Sequence, residues 1–247
     1  MVQGKADPKV TVIMPTYQHA KYLPISVFSI MGQSVPVKLI VIPVKDDYDS
    51  IKAIRKLMQR AAMTFEPSDM RWEAADKPDV FVQMQLGLDL VDTEYFCVFG
   101  SDDLMLPNMI ERLEFHANGL KHPIIAPSYA VTDENLTIQS FHYNKPFKLS
   151  RQMKGSYIPD IALVRTEDAR LVGGFTKGDL TWDYLNHFAF YHRLLKQNDC
   201  EVKLVTDLGF LYRQLPSSRH VQRYKGKQDV RIHKEKMKMI AKHYWGH

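Results

Sequence analysis

The sequence predicts an α/β fold, in which a mainly parallel sheet is covered on both faces by helices. In the first half of the chain, short apolar runs alternate with segments whose apolar residues recur at helical spacing. Parallel strands are connected by crossover helices and are buried on both faces, so they appear as continuous apolar runs. No segment has the roughly 18 consecutive apolar residues that a membrane-spanning helix needs.

The first half supplies four predicted strands and four predicted helices. The strands are residues 9–14, 37–44, 70–74 and 95–99. The helices are residues 22–31, a segment that begins at Asp49 or Ser50 and runs through Met58, residues 80–90, and a helix whose first turn contains Pro107.

The second half is less regular, and its predicted order is two strands, a loop, a long helix and two short strands. The ranges are 124–132, 136–143, 145–156, 180–197, 202–206 and 210–213. We therefore expect one catalytic domain over residues 1–218, with a nucleotide-binding half up to about residue 104 and an acceptor half after it. Residues 219–247 form a separate tail, predicted to be helical from about Asp229.

Charge is distributed unevenly along the chain, whose formal net charge is +5. Residues 219–247 contain nine Lys or Arg against two acidic residues, which gives +7, so the remaining 24 basic and 26 acidic residues give −2. The two cysteines, Cys97 and Cys200, lie in settings that suggest free thiols. The start of the chain has no apolar signal core. These features predict a cytoplasmic protein with a basic appendage.

Polar segments follow three of the predicted strands at the point where each ends. They are residues 15–17, 45–47 and 101–103. Ligands of open parallel sheets bind beyond the carboxyl ends of the strands. We therefore expect the three segments to form one site.

Asp102 and Asp103 are adjacent carboxylates, which repel each other unless a cation, a ligand or water screens them. Oxygen ligands favour Mg²⁺, Mn²⁺ or Ca²⁺, and a magnesium site often combines one or two carboxylates with substrate phosphates. The alternative is that both residues only stabilise the start of the helix at Pro107. The dipeptide alone leaves both interpretations open.

Four segments together resemble family-two glycosyltransferases of the GT-A fold. They are VTVIMPTYQHAKYLPISVFSIMGQ, FGSDDLMLPNMIERL, LVGGFTKGDLTWDYL and LYRQLPSS, and they cover roughly residues 10–218. The second is similar to the DxD segment of the family, and the third to its Gly-Gly-Phe stretch before a Glu-Asp pair. The resemblance implies a GT-A-type, Rossmann-like fold. It also implies a nucleoside-diphosphate sugar as donor, for which we expect a UDP-sugar, together with Mn²⁺ or Mg²⁺ and transfer with inversion.

The resemblance also implies roles for individual residues. Asp102 matches the metal ligand, Asp103 lies near the donor sugar, and Asp183 matches the general base. Substrate contacts are expected from Pro15, Thr16 and Tyr17 at the base and ribose, and from Ser101 and Arg213 in the matched segments.

Three departures from the family pattern affect this prediction. Gly100 stands where the family has the first Asp of DxD, and it could let a ligand approach the backbone closely. Asp46 and Asp47 come later than the acidic pair that usually follows the second strand, so they are either base or ribose contacts or ordinary turn residues. Trp182 replaces the Glu before Asp183 and either stacks on an acceptor or packs in the core.

His187 lies one helical turn after Asp183. It could orient that carboxylate, replace it as the base, or be a buried core histidine. The third interpretation is the default for an isolated histidine.

The basic tail leaves several uses open. It could close over the donor diphosphate, lie on an anionic membrane, track nucleic-acid phosphates, or pack its apolar face on the protein body. The expected acceptor is a glycan and, as second choice, a hydroxymethylated base in DNA. A different class of function is a catalytically degenerate module that binds sugar nucleotides or nucleic acid. This alternative is plausible because Gly100 and Trp182 replace acidic residues of the family pattern. A nucleotidyltransferase is disfavoured because the Gly-rich loop it needs after the first strand is missing.

Overall fold

The structure is a computed structural model that describes residues 7–61, 69–117, 119, 121–175, 186–216 and 227–246. Its strands are β1 Val10–Pro15, β2 Lys38–Ile42, β3 Met70–Trp72, β4 Tyr95–Val98, β5 Leu104–Met105, β6 Ile124–Thr132, β7 Ile138–His142, β8 Leu163–Arg165 and β9 Lys203–Arg213. Its helices are α1 Leu23–Met31, α2 Tyr48–Ala61, α3 Val80–Leu90, α4 Met109–Ala117, α5 Leu149–Gln152, α6 Thr166–Leu171, α7 Asn186–Gln197 and α8 Lys227–Trp245.

Within the described residues, all nine strands belong to one sheet of order β3-β2-β1-β4-β8-β6-β9-β5, with β7 beside β6. The pairs among β1, β2, β3 and β4 are parallel, as predicted for the first half. The second half is mixed, because β8 pairs antiparallel with both β4 and β6, and β5 pairs antiparallel with β9. The sheet as a whole is therefore mixed and flanked by helices.

Two apolar clusters cover the two faces of the sheet. Alternate residues of β1 point to opposite faces, so Val12 and Met14 join one cluster with α1, α2 and α4, while Ile13 joins the other with α3 and α7. Close packing is visible at Gly87 of α3, where an added Cβ would lie 2.3 Å from the Ile13 side chain. This packing fixes α3 against β1 and the loop that follows it.

Several element predictions need correction. The segments 202–206 and 210–213 form one strand, β9, rather than two, because the intervening residues continue to pair with β6 through irregular register. β5, β8 and α6 were not predicted, and the expected loop 145–156 contains the short helix α5. Helix α2 starts at Tyr48, before the predicted caps, because Asp47 accepts from the N–H of Ser50.

Candidate functional site

The carboxyl ends of β1, β2 and β4 meet at one edge of the sheet, as the sequence predicted. The N–H of Thr16 donates to the carbonyl of Ile42 at 3.0 Å. The buried amide of Gln83 donates to the carbonyls of both Thr16 and Ile42, at 3.0 and 2.6 Å. On the other side of β1, the N–H of Phe99 donates to the Ile13 carbonyl. These bonds hold the three predicted segments close together.

Asp47 is buried, and its carboxylate binds backbone N–H groups. Its two oxygens accept hydrogen bonds from the N–H of Gln18 at 2.6 Å and of Ser50 at 3.2 Å. Gln18 has a φ of 58°, in the left-handed region that non-glycine residues seldom adopt. Asp47 therefore fixes the loop after β1 and begins α2, whereas Asp46 is exposed beside it. A ligand contact by either residue stays a prediction.

His19 is a site residue that the sequence reasoning missed. The turn at Gln18 directs it towards the end of β4, where its Nδ1 lies 2.9 Å from the Ser101 hydroxyl and 4.0 Å from a carboxylate oxygen of Asp102. The side chain of Asp102 is 17% exposed. The only available signal was the position of His19 within the loop after β1, because its partners are 82 residues or more away.

Gly100 leaves the space in which the Asp103 carboxylate lies. A Cβ on Gly100 would be 2.4 Å from an oxygen of Asp103 and 3.1 Å from one of Asp102. Asp103 is buried, and its other oxygen accepts from the N–H of Arg213 at 2.8 Å. The hydroxyl of Ser26 contacts the carbonyls of Ser101 and Asp103. The turn after β4 is thus held in place from several sides.

Both carboxyl groups at this turn are costly to ionise. Burial raises the pKa of the Asp102 carboxyl. Burial also raises the pKa of the Asp103 carboxyl, and the neighbouring charge of Asp102 raises it further. A positive charge beside Asp102 would offset the cost of ionising both groups. Carboxylate oxygens suit Mg²⁺ or Mn²⁺, so the residues present fit such an ion.

Within the described ranges, no group of three or more His, Cys, Asp and Glu side chains is close enough to hold a metal ion. A cation at Asp102 would therefore need further oxygen atoms from a ligand. Diphosphate oxygens are the usual source for Mg²⁺.

Arg213 is a buried cation with free hydrogen-bond donors. Its residue surface is only 3% exposed, yet neither Nε nor Nη2 has a hydrogen-bond partner among the described residues. These two nitrogens form one edge of the guanidinium, the fork that binds a carboxylate or a phosphate through two parallel hydrogen bonds. The guanidinium lies 5.0 Å from the ring centre of Tyr22, whose hydroxyl donates to Glu134. Arg213 is therefore positioned to bind an anion.

Trp182 and Asp183 lie outside the described residues. His187 is described, and its Nδ1 lies 3.4 Å from a carboxylate oxygen of Asp160. Its ring stacks on Tyr191 at 4.9 Å and meets Phe175 edge-on at 6.0 Å. The structure thus gives His187 an acidic neighbour that the sequence did not indicate, while its relation to Asp183 stays a prediction.

Helix α8 packs on α7 through its apolar face. Met237, Ile240 and Ala241 are buried with Phe188 and Ala189. This contact corresponds to the packing alternative for the tail. No helix in the described parts of the chain is long and apolar enough to cross a membrane.

Comparison with known proteins identifies the family of this chain. The family model described as Glycosyl transferase family 2 matches residues 11–195. The chain belongs to this family, and it is a glycosyltransferase that uses a nucleotide sugar. A search of curated proteins finds no match.

Solved structures show the same fold. S. aureus TarS 1-349 in complex with UDP-GlcNAc superposes with a TM-score of 0.68 at 11% identity, covering 93% of this chain and 70% of that one. The same TarS fragment in complex with UDP gives a TM-score of 0.63 at 10% identity, over 93% and 69% of the two chains. At such low identity the likeness establishes the GT-A fold only.

Proposed function

We propose that this protein is a metal-dependent, inverting glycosyltransferase that moves a sugar from a UDP-sugar to an acceptor hydroxyl. The observation that carries the proposal is the Nε–Nη2 edge of buried Arg213, which has no partner among the described residues and whose charge acts on Asp102 and Asp103. A cation-binding carboxylate next to a buried guanidinium fork matches the two charge requirements of a diphosphate and its metal ion. The TarS complexes with UDP-GlcNAc and UDP support the choice of a uridine nucleotide.

The donor lies along the carboxyl edge of the sheet in this proposal. Pro15, Thr16 and Tyr17 contact the base and ribose, with Asp46 and Asp47 beside them. The buried Thr16 hydroxyl has no hydrogen-bond partner in the described part of the chain, so it is available to a ligand. Asp102 holds Mn²⁺ or Mg²⁺ together with the donor diphosphate, Gly100 and Ser101 line this turn, and Arg213 binds phosphate oxygens.

Transfer is a single displacement. Asp183 removes the proton of the acceptor hydroxyl while that oxygen forms a bond to the anomeric carbon, and the bond from this carbon to the diphosphate oxygen breaks. The anomeric configuration therefore inverts. A bound divalent cation stabilises the negative charge that develops on the departing diphosphate. Arg213 adds a second positive group on the same side.

In this proposal the acceptor approaches from the side of α7, on which His187 lies, and Trp182 is the residue predicted to stack on it. We place a glycan first and a hydroxymethylated DNA base second. The exposed basic side of α8 supplies a contact for a nucleic acid or an anionic membrane, since Lys234, Lys238 and Lys242 all face solvent.

The experiment is release of UDP from UDP-GlcNAc, with and without Mn²⁺, combined with calorimetric binding of UDP. Asp102→Ala should lose metal-dependent UDP binding and UDP release. Asp183→Ala should keep UDP binding and lose release. Asp7→Asn is the matched control, because Asp7 is exposed and precedes β1 at the opposite edge of the sheet.

Two results would count against the proposal. Full UDP release by Asp183→Ala would remove that residue from the role of base. The absence of UDP binding and release with any sugar nucleotide in a panel would favour the alternative, a family member that has lost catalysis and retains only binding.

A further inference from the structure

Asp160 is an exposed carboxylate on a loop that is otherwise fixed. Its side chain is 72% exposed, while the neighbouring Ile158 and Ile161 are buried. The hydroxyl of Tyr191 on α7 lies within hydrogen-bond distance of the carbonyls of Pro159 and Asp160, at 3.3 and 3.2 Å. The loop backbone is thus held against α7 while the Asp160 carboxylate projects outward.

Among the described residues, His187 forms an ion-pair contact with this carboxylate. Its Nδ1 lies 3.4 Å from one Asp160 oxygen, so a small rotation of the exposed carboxylate would form a hydrogen bond. Burial lowers the pKa of His187, although the charge of Asp160 opposes the shift. A neutral imidazole can orient Asp160 but does not neutralise it. Within the described residues no hydrogen bond reaches the Asp160 carboxylate, so its second oxygen stays available to a ligand.

Because β8 pairs antiparallel with β4, the loop before β8, which contains Asp160, lies at the same end of the sheet as the turn after β4 that carries Asp102 and Asp103. Burial raises the pKa of the Tyr212 phenol, and the charges of Asp103, Asp102 and Asp160 raise it further. Tyr212 on β9 also meets Tyr129 on β6 edge-on, with 6.2 Å between ring centres. Tyr129 and Tyr212 thus lie near the Asp160 carboxylate, whose charge raises the pKa of both phenols.

We infer that Asp160, oriented by His187, binds a hydroxyl group of the acceptor. The inference rests on the proposed function, since it supplies the acceptor side of the site at this end of the sheet. A carboxylate that can accept hydrogen bonds, next to aromatic rings, suits a ligand with several hydroxyl groups. Arg213 and Asp102 face the diphosphate, so the acceptor enters on the Asp160 side of Tyr212. Asp160 is an acceptor-binding residue, and His187 is its positioning residue.

The test compares wild type with Asp160→Asn, Asp160→Glu and Glu167→Gln. Glu167 is an exposed acidic residue on α6 at the opposite edge of the sheet, so it is the matched control. Glycerol, glucose and N-acetylglucosamine are titrated as soluble acceptors against the rate of UDP release from UDP-GlcNAc. Saturation-transfer NMR with UDP and Mg²⁺ measures binding of the same three compounds without turnover.

We expect Asp160→Asn to raise the half-saturating acceptor concentration by about tenfold or more, as for loss of a hydrogen bond to a charged group. UDP affinity and acceptor-free UDP release should be unchanged. Asp160→Glu should recover part of the loss, and Glu167→Gln should match wild type. If Asp160 had only a structural role, the substitution would change UDP affinity and acceptor-free UDP release together with the half-saturating acceptor concentration.

An unchanged half-saturating concentration in Asp160→Asn would overturn the inference. So would the absence of both acceptor-stimulated release and saturation transfer with all three compounds in wild type. Failure of the proposed function is distinguishable, because it would abolish acceptor-free UDP release in wild type. The NMR measurement would still decide whether Asp160 binds hydroxyl compounds.

Discussion

The carboxylate of Asp103 accepts a 2.8 Å hydrogen bond from the backbone N–H of Arg213, 110 residues further along the chain. This bond joins the turn after β4 to the end of β9. The Arg213 guanidinium lies 5.0 Å from the ring centre of Tyr22, and its charge lowers the pKa of the Asp102 carboxyl against the effect of burial. Asp103 is therefore occupied in holding the site together, which leaves Asp102 as the more exposed carboxylate of the pair.

Gly100→Asp restores the acidic residue that the family has at this position, yet we expect it to weaken the site. The new Cβ would lie 2.4 Å from an Asp103 oxygen, so Asp103 would have to move and its bond to Arg213 would be strained. Overpacking of this kind costs about 1–3 kcal/mol. Urea unfolding should show that loss, and calorimetry should show weaker binding of UDP.

Gly155→Ala is the control for this substitution, because nothing lies within 4 Å of an added Cβ there. It should leave both stability and UDP binding unchanged. Tighter UDP binding by Gly100→Asp than by wild type would contradict this prediction. It would mean that Gly100 merely lacks a ligand contact that Asp provides, and that the packing around Asp103 does not require glycine.

Arg213→Lys keeps the positive charge but removes the planar fork. If the Nε–Nη2 edge binds phosphate through two hydrogen bonds, UDP affinity should fall by about 10- to 100-fold, which corresponds to the loss of one charge-assisted hydrogen bond. Titration calorimetry with UDP and Mn²⁺ measures this change. An affinity equal to that of wild type would mean that the charge alone matters.

Arg112→Lys is the matched control for Arg213→Lys. Arg112 is half exposed and forms an ion pair with Asp207, away from the carboxyl ends of β1 and β4. The Arg112→Lys variant should bind UDP with the affinity of wild type. Circular dichroism of both variants would show whether either has lost its fold.

The donor half of the fold could be predicted because its signals are local. Apolar runs and helical spacing gave all four strands up to β4, and parallel strands must end at a common edge. The resemblance then assigned chemistry to the segments at that edge. The family and the fold are confirmed, whereas the individual residue roles remain predictions.

The remaining features could not be predicted because they depend on distant pairing. β9 is one strand only because irregular pairing with β6 carries it through Gly209, a residue that suggests a break in isolation. β5 has two residues and exists only because β9 lies beside it. The contacts of His19 with Ser101, and of His187 with Asp160, join segments without any shared sequence motif.

The attachment of α8 to α7 can be tested with two methionines that are two positions apart. Met237 is 4% exposed against α7, and Met239 is 55% exposed. Met237→Ala should lower the free energy of unfolding by about 2–4 kcal/mol, because it leaves a cavity. Met239→Ala should change it by no more than about 0.5 kcal/mol. Equal, small effects in urea unfolding would mean that α8 is free to bind elsewhere, for example to a membrane.

The same interface should respond to pH through His192. Its Nδ1 accepts a 2.8 Å hydrogen bond from the indole N–H of Trp245, and burial lowers its pKa to about 4 from an ordinary value of 6.5. Below pH 6.5 the unfolded chain binds a proton that the folded chain excludes, so stability should fall as the pH drops from 6.5 to 4. Above pH 7 His192 is neutral in both the folded and the unfolded chain, so its contribution to the free energy of unfolding is constant. The full loss is on the order of 3 kcal/mol.

His192→Gln separates this effect from general acid denaturation. Glutamine still offers an oxygen to the Trp245 indole but does not titrate, so its unfolding free energy should depend less steeply on pH between 6.5 and 4. Urea unfolding at pH 7.5, 6.0 and 4.5, followed by tryptophan fluorescence, compares the two proteins. Since protonation of Nδ1 turns an acceptor into a donor that faces an N–H, the wild type should lose α8 first. Parallel pH profiles for the two proteins would show that His192 is protonated without cost in the folded state.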